Sequence, residues 1–330
     1  MEKTLPYFIR CKDKSISFVY EEIKIDSETF FIGFPKLIPS KTKTDISIDD
    51  QFYTRGKDYS DWFKDDQNEI LKKYIKHVEM FDADLFCFSG NDIEKIYHPL
   101  EFENNKGFHH SMTQKVREII SKACFIPIED IGVEGSTLLG YYSERSDIDL
   151  IIYGLENSKK LGVDFHTIRR FAGIRLYQAS DYSELLNKRK NIGFGDNSVS
   201  ILTQELRRFY GFIESKRFSV ICVLKSSDKT PIDNSRRIKY QEYFQGEVEI
   251  VSDIYSEVIP SFLNVIEKKT GKEMTLEIHN HYGINQARKG ESFNIKADKY
   301  IDLKTKEEIL IISFWSHSAV KNEQMFSLIP

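Results

Sequence analysis

The chain has 330 residues, more than one ordinary hydrophobic core accommodates, which predicts two or three domains. Hydrophobic residues make up 40% and charged residues 30% of it, and no apolar run is long enough to cross a bilayer, which excludes a membrane-spanning class. The net charge is only −4, yet residues 166–239 hold fifteen Lys or Arg against seven Asp or Glu. That local excess fits a polyanionic partner and a solvated basic face about equally well.

The start of the chain and its cysteines predict a cytoplasmic protein. The first residues lack both the apolar run and the small-residue cleavage site of a secretory signal. The four cysteines are far apart, without the paired spacing of a zinc site or the density of a disulfide framework. We therefore expect reduced thiols.

The first hundred residues predict strands followed by a helix. Residues 7–38 alternate aromatic or β-branched residues with polar ones, which favours strands. Residues 40–65 are polar and irregular. Between residues 70 and 81, apolar residues recur at helical spacing and predict a helix. Turn-forming residues around position 105 place a domain boundary there.

The middle of the chain alternates predicted helices and strands. Apolar residues from Val116 to Ala123 recur at helical spacing, and those from Leu202 to Ile213 do the same. The continuous apolar run Phe218–Val223 predicts a buried strand. From Gly246 onward, short β-rich runs separated by glycine-containing turns predict hairpins. The predicted domains are an N-terminal α/β region (1–105), a central domain (106–230) and a small β-rich C-terminal domain (231–330).

Residues 131–154, IGVEGSTLLGYYSERSDIDLIIYG, carry the most informative pattern. A short apolar strand ends at Gly135-Ser136, and a second strand begins at Asp147. Alternation along that second strand places Asp147 and Asp149 on one face, with their apolar neighbours toward the core. Two residues apart on a strand face means ~7 Å, a distance that a phosphate-bridged Mg²⁺ can span. Gly135 permits a tight turn, and the Ser136 hydroxyl can donate to a phosphate.

This stretch resembles the signature of the DNA polymerase β-like nucleotidyltransferase superfamily, in which Gly-Ser leads through a short helix to Ser-Asp-x-Asp-Leu. The matching residues are Gly135, Ser136, Gly140, Ser146, Asp147, Asp149 and Leu150. The resemblance implies an α+β fold whose nucleotidyltransferase core has a mixed sheet. It also implies transfer of a nucleoside monophosphate from a nucleoside triphosphate to an acceptor hydroxyl, with Mg²⁺ or Mn²⁺ as cofactor.

The same resemblance assigns roles to individual residues. Asp147 and Asp149 would be the catalytic, metal-binding carboxylates, and Gly135, Ser136 and Ser146 would bind the nucleotide. The chain departs from the family in two places, because Leu139 stands where small members often have Arg, and because no acid occupies the later strand at Phe218–Ile221. The missing third carboxylate would slow chemistry more than triphosphate binding. Asp196, Glu214 and Asp253 are candidate substitutes that the sequence does not rank.

Other candidate residues are weaker. Eight basic residues downstream of the acids could contact phosphates: Arg169, Arg170, Arg175, Lys188, Arg189, Lys190, Arg207 and Arg208. His279 and His281 could share one strand face, but no third ligand has suitable spacing for a metal. The pair His109-His110 has no partner in the sequence.

Two functions follow from these observations. The first is a metal-dependent nucleotidyltransferase whose acceptor is an RNA or DNA end, a protein side chain or a small molecule, with the basic segment favouring nucleic acid. The second is a catalytically impaired module of the same fold that binds a nucleotide, RNA or a partner protein. No membrane partner is expected, and the sequence leaves the oligomeric state open.

Overall fold

The computed structural model describes residues 5–25, 28–56, 69–102, 108–143, 146–182, 186, 197–232, 236–280, 283–313, 315 and 324–329. These residues form a sheet-rich α+β protein, with the strands gathered in three sheets along the chain. The α+β class expected from the sequence is therefore confirmed. The domain boundaries after residues 105 and 230 stay predictions.

The first sheet is antiparallel and follows the predicted alternation of residues 7–38. Its strands are β1 Tyr7–Cys11, β2 Ile16–Ile25, β3 Glu28–Pro39, β4 Ile46–Ile48, β5 Gln51–Arg55, β6 Ile75–Val78, β7 Ala83–Ser89 and β8 Ile93–Tyr97, with the helical turn α1 Glu69–Lys72 before β6. Their order is β4-β5-β3-β2-β1-β8, and β7 joins β3 to β6.

The helix predicted between residues 70 and 81 is wrong beyond its first turn. Helix α1 ends at Lys72, and Ile75–Val78 instead pairs antiparallel with Ala83–Phe86. The β-branched residues Ile75 and Val78 favour a strand once a partner is present. A helical turn followed by a strand happened to reproduce helical spacing of apolar residues.

The central sheet is mixed, with strand order β11-β12-β13-β10-β9. Its strands are β9 Ile131–Val133, β10 Ile148–Tyr153, β11 Ile174–Leu176, β12 Phe209–Ile213 and β13 Lys216–Val223. The helices beside it are α2 Phe108–Cys124, α3 Gly135–Leu139, α4 Leu155–Asp164 and α5 Ser198–Glu205. Strand β13 runs parallel to β10, whereas β9, β11 and β12 pair antiparallel with their neighbours. The predictions of the helix around residue 116, the two strands of the 131–154 segment and the buried strand at Phe218–Val223 are confirmed.

The helix predicted from Leu202 to Ile213 is wrong in its second half. Helix α5 ends at Glu205, and Phe209–Ile213 forms strand β12. Strand β12 pairs with β13 along its whole length, so ladder hydrogen bonds replace those that a longer helix would have made. Helical spacing again spans a helix and a strand.

The third sheet confirms the β-rich C-terminal region. Its strands are β14 Ile238–Tyr255, β15 Ser261–Glu267, β16 Glu273–Ile278, β17 Ser292–Asp302, β18 Glu308–Ile312 and β19 Met325–Leu328. The order is β14-β15-β16-β18-β17-β19, and β14 also pairs with β17, so the sheet closes on itself. Strands β16 and β18 are parallel.

The three sheets pack against one another. One hydrophobic cluster contains residues of the first sheet, such as Phe86, together with Tyr300 and Trp315 of the C-terminal region. Another contains Tyr53 of the first sheet and Leu139 of α3. Among the helices in the described residues, none is long and apolar enough to cross a membrane.

Candidate functional site

Asp147 directly precedes β10 and Asp149 is its second residue, and both lie on one face of the central sheet. The alternate residues Ile148, Leu150 and Ile152 are fully buried in the hydrophobic cluster on the opposite face. Both aspartates keep part of their surface exposed. The alternation predicted from the sequence is confirmed, and a rigid strand supports both carboxylates.

Gly135 brings the start of α3 against Asp149. It has a left-handed φ of +64°, and a Cβ added there would lie 2.7 Å from Asp149 Oδ2. An L side chain is disfavoured on both grounds, since it would be strained and would push the carboxylate aside. A glycine is required because the turn and the carboxylate occupy adjoining space.

Ser136 and Ser146 differ in what surrounds them. Ser136 is partly exposed in the first turn of α3, and its carbonyl accepts from the backbone N–H groups of Gly140 and Tyr141 as the helix ends. The Ser146 hydroxyl accepts from the Ser143 N–H at 2.8 Å. Ser146 therefore closes the loop before β10, and only Ser136 shares the Gly135 turn.

The position that faces Asp149 on the next strand is a serine. Strands β10 and β13 pair Asp149 with Ser219, and the Ser219 hydroxyl donates to Asp149 Oδ1 at 2.8 Å. The acid expected on this strand is absent from the described site. Ser219 stabilises the charged form of Asp149 but adds no metal-binding charge.

The suggested substitutes for the third acid lie elsewhere. Glu214 pairs with Lys115 at 3.4 Å in the turn between β12 and β13. Asp253 accepts from the Lys289 N–H at 3.1 Å in the C-terminal region. Asp196 lies outside the described residues.

Arg217 contacts the other aspartate. Its guanidinium donates to Asp147 Oδ2, and the pair is about half exposed on the arginine side. Burial lowers the pKa of Arg217, but the hydrogen bond and charge of Asp147 raise it above its ordinary value. The sequence analysis missed Arg217, although its place two residues before Ser219 on the strand was readable.

Glu134 flanks Asp149 on the side opposite Ser219. The Glu134 N–H donates to the Asp149 carbonyl at 2.8 Å, and its extended backbone continues the line of β9. Burial, and then the charge of Asp149, raise the pKa of Glu134 to about 7, while Lys36 lowers it. Sequence reasoning missed this residue because nothing in the motif marks the position before Gly135.

Like charges also act on Asp149 itself. Burial, and then the charge of Asp147, raise its pKa, while Ser219, Arg217 and Lys36 lower it. The ionised form of Asp149 is therefore stabilised by positive charge nearby. Lys36, on β3 of the first sheet, supplies part of this positive charge.

His109 lies beside this face, contrary to the expectation that the His109-His110 pair has no partner. It is buried near the start of α2, its Nε2 lies 2.8 Å from Thr137 Oγ1 of α3, and its ring stacks on Tyr142. Burial, and then the charge of Lys216, lower the pKa of His109, while Asp147 raises it. A neutral imidazole thus fixes α3 against α2.

Leu139, which stands where small members of the resembled family often carry Arg, is buried with Tyr53 and Leu37 of the first sheet. An arginine there would be an uncompensated buried charge. Leu139 therefore anchors this helix to the first sheet through an apolar contact.

Most of the described basic candidates are engaged within the protein. Arg175 binds Asp181 through both carboxylate oxygens, at 2.6 and 3.1 Å, and Arg207 binds Glu291. Arg208 is buried beside Glu205. The exposed Arg169 and Arg170 follow α4, and residues 188–190 lie outside the described chain. Among the described candidates, Arg175, Arg207 and Arg208 thus pair with acids other than Asp147 and Asp149.

Asp147 and Asp149 are the two residues of the described site that could hold a cation. Within the described ranges, no group of three or more His, Cys, Asp or Glu side chains is placed to hold a metal ion. Mg²⁺ in nucleotide sites is commonly held by one or two carboxylates together with substrate phosphates. Asp147 and Asp149 meet that lesser requirement. His279 instead binds Glu277 at 2.9 Å, and His281 lies outside the described residues.

Comparisons with known proteins do not name a relative, since no family model, no curated protein and no solved structure matches the chain.

Proposed function

We propose that the chain is a metal-dependent nucleotidyltransferase that moves a nucleoside monophosphate from a nucleoside triphosphate to an acceptor hydroxyl. The observation that carries the proposal is the contact between the Gly135 turn and Asp149, which leaves no room for a Cβ. Ser136 follows Gly135 in the same turn, so we expect its hydroxyl to face a ligand held at the two carboxylates. A hydroxyl donor next to paired acids is the arrangement that a metal-bound triphosphate needs.

Each residue has a defined task in this proposal. Asp147 and Asp149 would hold Mg²⁺ or Mn²⁺ together with the phosphates, and the cation would neutralise phosphate charge. Ser136 would donate to a phosphate oxygen, and Ser219 orients Asp149 and favours its ionised form. Arg217 can pair with a phosphate when Asp147 turns to the cation, since a guanidinium binds carboxylate and phosphate in the same way.

A binding module without transfer is the second candidate. It is favoured by Ser219 at the place of the third acid and by the Arg217–Asp147 pair. Both features reduce the negative charge available for a second cation, the one that would activate the acceptor hydroxyl. Triphosphate binding would persist in this case, but label transfer would not.

The test is transfer of label from α-³²P nucleoside triphosphates, with Mg²⁺ or Mn²⁺, into RNA, DNA and protein. The native protein is compared with the Asp147→Asn/Asp149→Asn double variant and with Asp84→Asn, which replaces an exposed aspartate of the first sheet. Label that depends on the two site acids supports transfer and identifies the acceptor class. No label from any triphosphate that nevertheless binds supports the second candidate, and label that survives in the double variant contradicts both.

A further inference from the structure

Aromatic side chains continue the site face of the central sheet beyond the aspartates. The register pairs Asp149 with Ser219, Ser219 with Tyr210, and Arg217 with Phe212. Tyr177 follows β11, and its N–H donates to the Tyr210 carbonyl at 3.2 Å. Tyr177, Tyr210 and Phe212, here called the aromatic ledge, therefore lie on the same face as the carboxylates.

The rings of the ledge are held in place by their neighbours. Tyr177 and Phe212 are nearly parallel, with centroids 4.9 Å apart, and the Arg175 guanidinium lies 4.2 Å from the Phe212 centroid. Asp181 fixes Arg175, and the buried ring of Tyr182 packs edge-on against Tyr177. A surface held this firmly loses little conformational entropy when a flat ligand stacks on it.

The ledge lies outside the main hydrophobic cluster of the central sheet. The hydrophobic cluster of the central domain lies on the other face and includes Phe209, Ile213 and Phe218, the alternate residues of the same strands. Tyr177, Tyr210 and Phe212 are outside the described clusters and stay partly exposed. The ledge therefore packs against Tyr182 and against the guanidinium groups of Arg175 and Arg208, while part of its aromatic surface stays exposed beside the charged site.

The spacing of the strands relates the ledge to the carboxylates. Neighbouring strands lie ~5 Å apart, so Tyr210 is about 10 Å and Tyr177 about 14 Å from Asp149 across the sheet. Arg217 stands between them, since it contacts Asp147 and also hydrogen-bonds to Tyr177. A triphosphate at the carboxylates would extend its ribose and base over β13 toward the ledge.

We propose that the aromatic ledge stacks the base of the nucleoside triphosphate whose phosphates are held at Asp147 and Asp149. The inference rests on the proposed function for the position of the phosphates. Every base has a π-face, and stacking on an aromatic side chain tolerates different bases. Arg217 would then contact the ligand between phosphate and base.

The test compares two ligands that differ only beyond the phosphates. Binding of ATP, GTP, CTP and UTP with Mg²⁺ is measured beside binding of inorganic tripolyphosphate with Mg²⁺. For Tyr177→Ala, we expect the Kd of the tightest nucleotide to rise about tenfold, within the range for loss of one stacked base, while the Kd of tripolyphosphate is unchanged. Tyr177→Phe keeps the ring and should retain most of the nucleotide affinity.

Further variants separate stacking from folding. Tyr177→Leu preserves apolar volume against Tyr182 without an aromatic face, so it should behave like Tyr177→Ala while unfolding at the native temperature. Tyr243→Ala removes an exposed tyrosine of β14 as a control. If the Kd of nucleotide and the Kd of tripolyphosphate rise equally, or if neither rises, the proposed stacking on the ledge is wrong.

Other outcomes are also decisive. If Tyr177→Ala weakens the binding of a single-stranded oligonucleotide but not of any nucleotide, the ledge binds an acceptor strand and the inference fails. If the native protein binds neither nucleotide nor tripolyphosphate, the proposed function fails, and this inference with it.

Discussion

The two faces of strand β10 divide stability from chemistry. Leu150 points into the hydrophobic cluster and is 1% exposed, whereas its neighbour Asp149 points to the other face among Ser219, Glu134 and the Gly135 turn. Asp149 resists ionisation there, because burial and Asp147 raise its pKa. Because side chains alternate along a strand, adjacent residues face opposite sides of the sheet. Leu150 stabilises the fold on one side, whereas Asp149 costs stability on the other side, where the charged site lies.

Truncation of the two neighbours gives the largest expected contrast. Leu150→Ala should lower the free energy of unfolding by about 2–5 kcal/mol, because it leaves a cavity in a packed core. Asp149→Asn should leave it unchanged or raise it, because a carboxylate that resists ionisation is replaced by a neutral side chain of the same shape. Urea unfolding without divalent cations measures both. A strongly destabilised Asp149→Asn would show that the site face also carries the fold.

A substitution at Gly135 tests whether nucleotide binding can be lost at a small cost in the free energy of unfolding. Gly135→Ala should cost about 1–2 kcal/mol for the left-handed backbone, and its Cβ should also displace the Asp149 carboxylate and abolish nucleotide binding. Gly271→Ala is the matched control, since Gly271 has φ +71° with nothing within 4 Å of an added Cβ. Equal nucleotide binding by both variants would contradict the close approach.

Substitutions at Ser219 test whether the missing third carboxylate limits nucleotidyl transfer. Ser219→Asp places a third carboxylate beside Asp149, and we expect it to raise label transfer on the order of tenfold by strengthening the second cation position. Ser219→Asn has the same size without the charge and should give no increase. A gain of the same size in both variants would rule out metal binding as the reason.

Glu134 gives an effect that depends on pH. Its pKa of about 7 in the folded protein exceeds the ordinary value of 4.5, so the folded state holds a proton that the unfolded state has released between these values. The free energy of unfolding therefore falls as pH rises through this window. Glu134→Gln lacks the titration, so it should gain stability over the native protein from pH 5 to pH 8 without divalent cations. Glu156→Gln, at an exposed position on α4, is the matched control.

The sequence predicted the strands around the site and the face of its acids because a period of two is local information. The 131–154 segment and Phe218–Val223 folded as expected, since alternation and apolar runs are read from neighbours alone. The helical spacing of apolar residues at 70–81 and 202–213 gave wrong predictions, because the structure of these segments depends on distant partners. Their second halves became β6 and β12 by pairing with β7 and β13, and such partners are not visible locally.

The sequence predicted the site residues that are close together along the chain. It did not predict contacts between side chains on different strands. Gly135, Asp147 and Asp149 lie close together in the sequence, in one turn and at the start of one strand. Arg217 meets Asp147 from 70 residues away, and the Leu139 side chain has its partners in the first sheet. Contacts across such separations depend on strand register and on the packing of whole sheets, which the motif does not encode.

Binding of a nucleoside triphosphate with and without Mg²⁺, measured by calorimetry, tests the division between the faces most directly. The native protein should bind in Mg²⁺ and lose the ligand when the cation is chelated, and the Asp147→Asn/Asp149→Asn double variant should not bind while it unfolds at the native urea concentration or higher. A double variant that binds the triphosphate as tightly as the native protein, or native binding that ignores the cation, would contradict the assignment of this face as the metal-dependent nucleotide site.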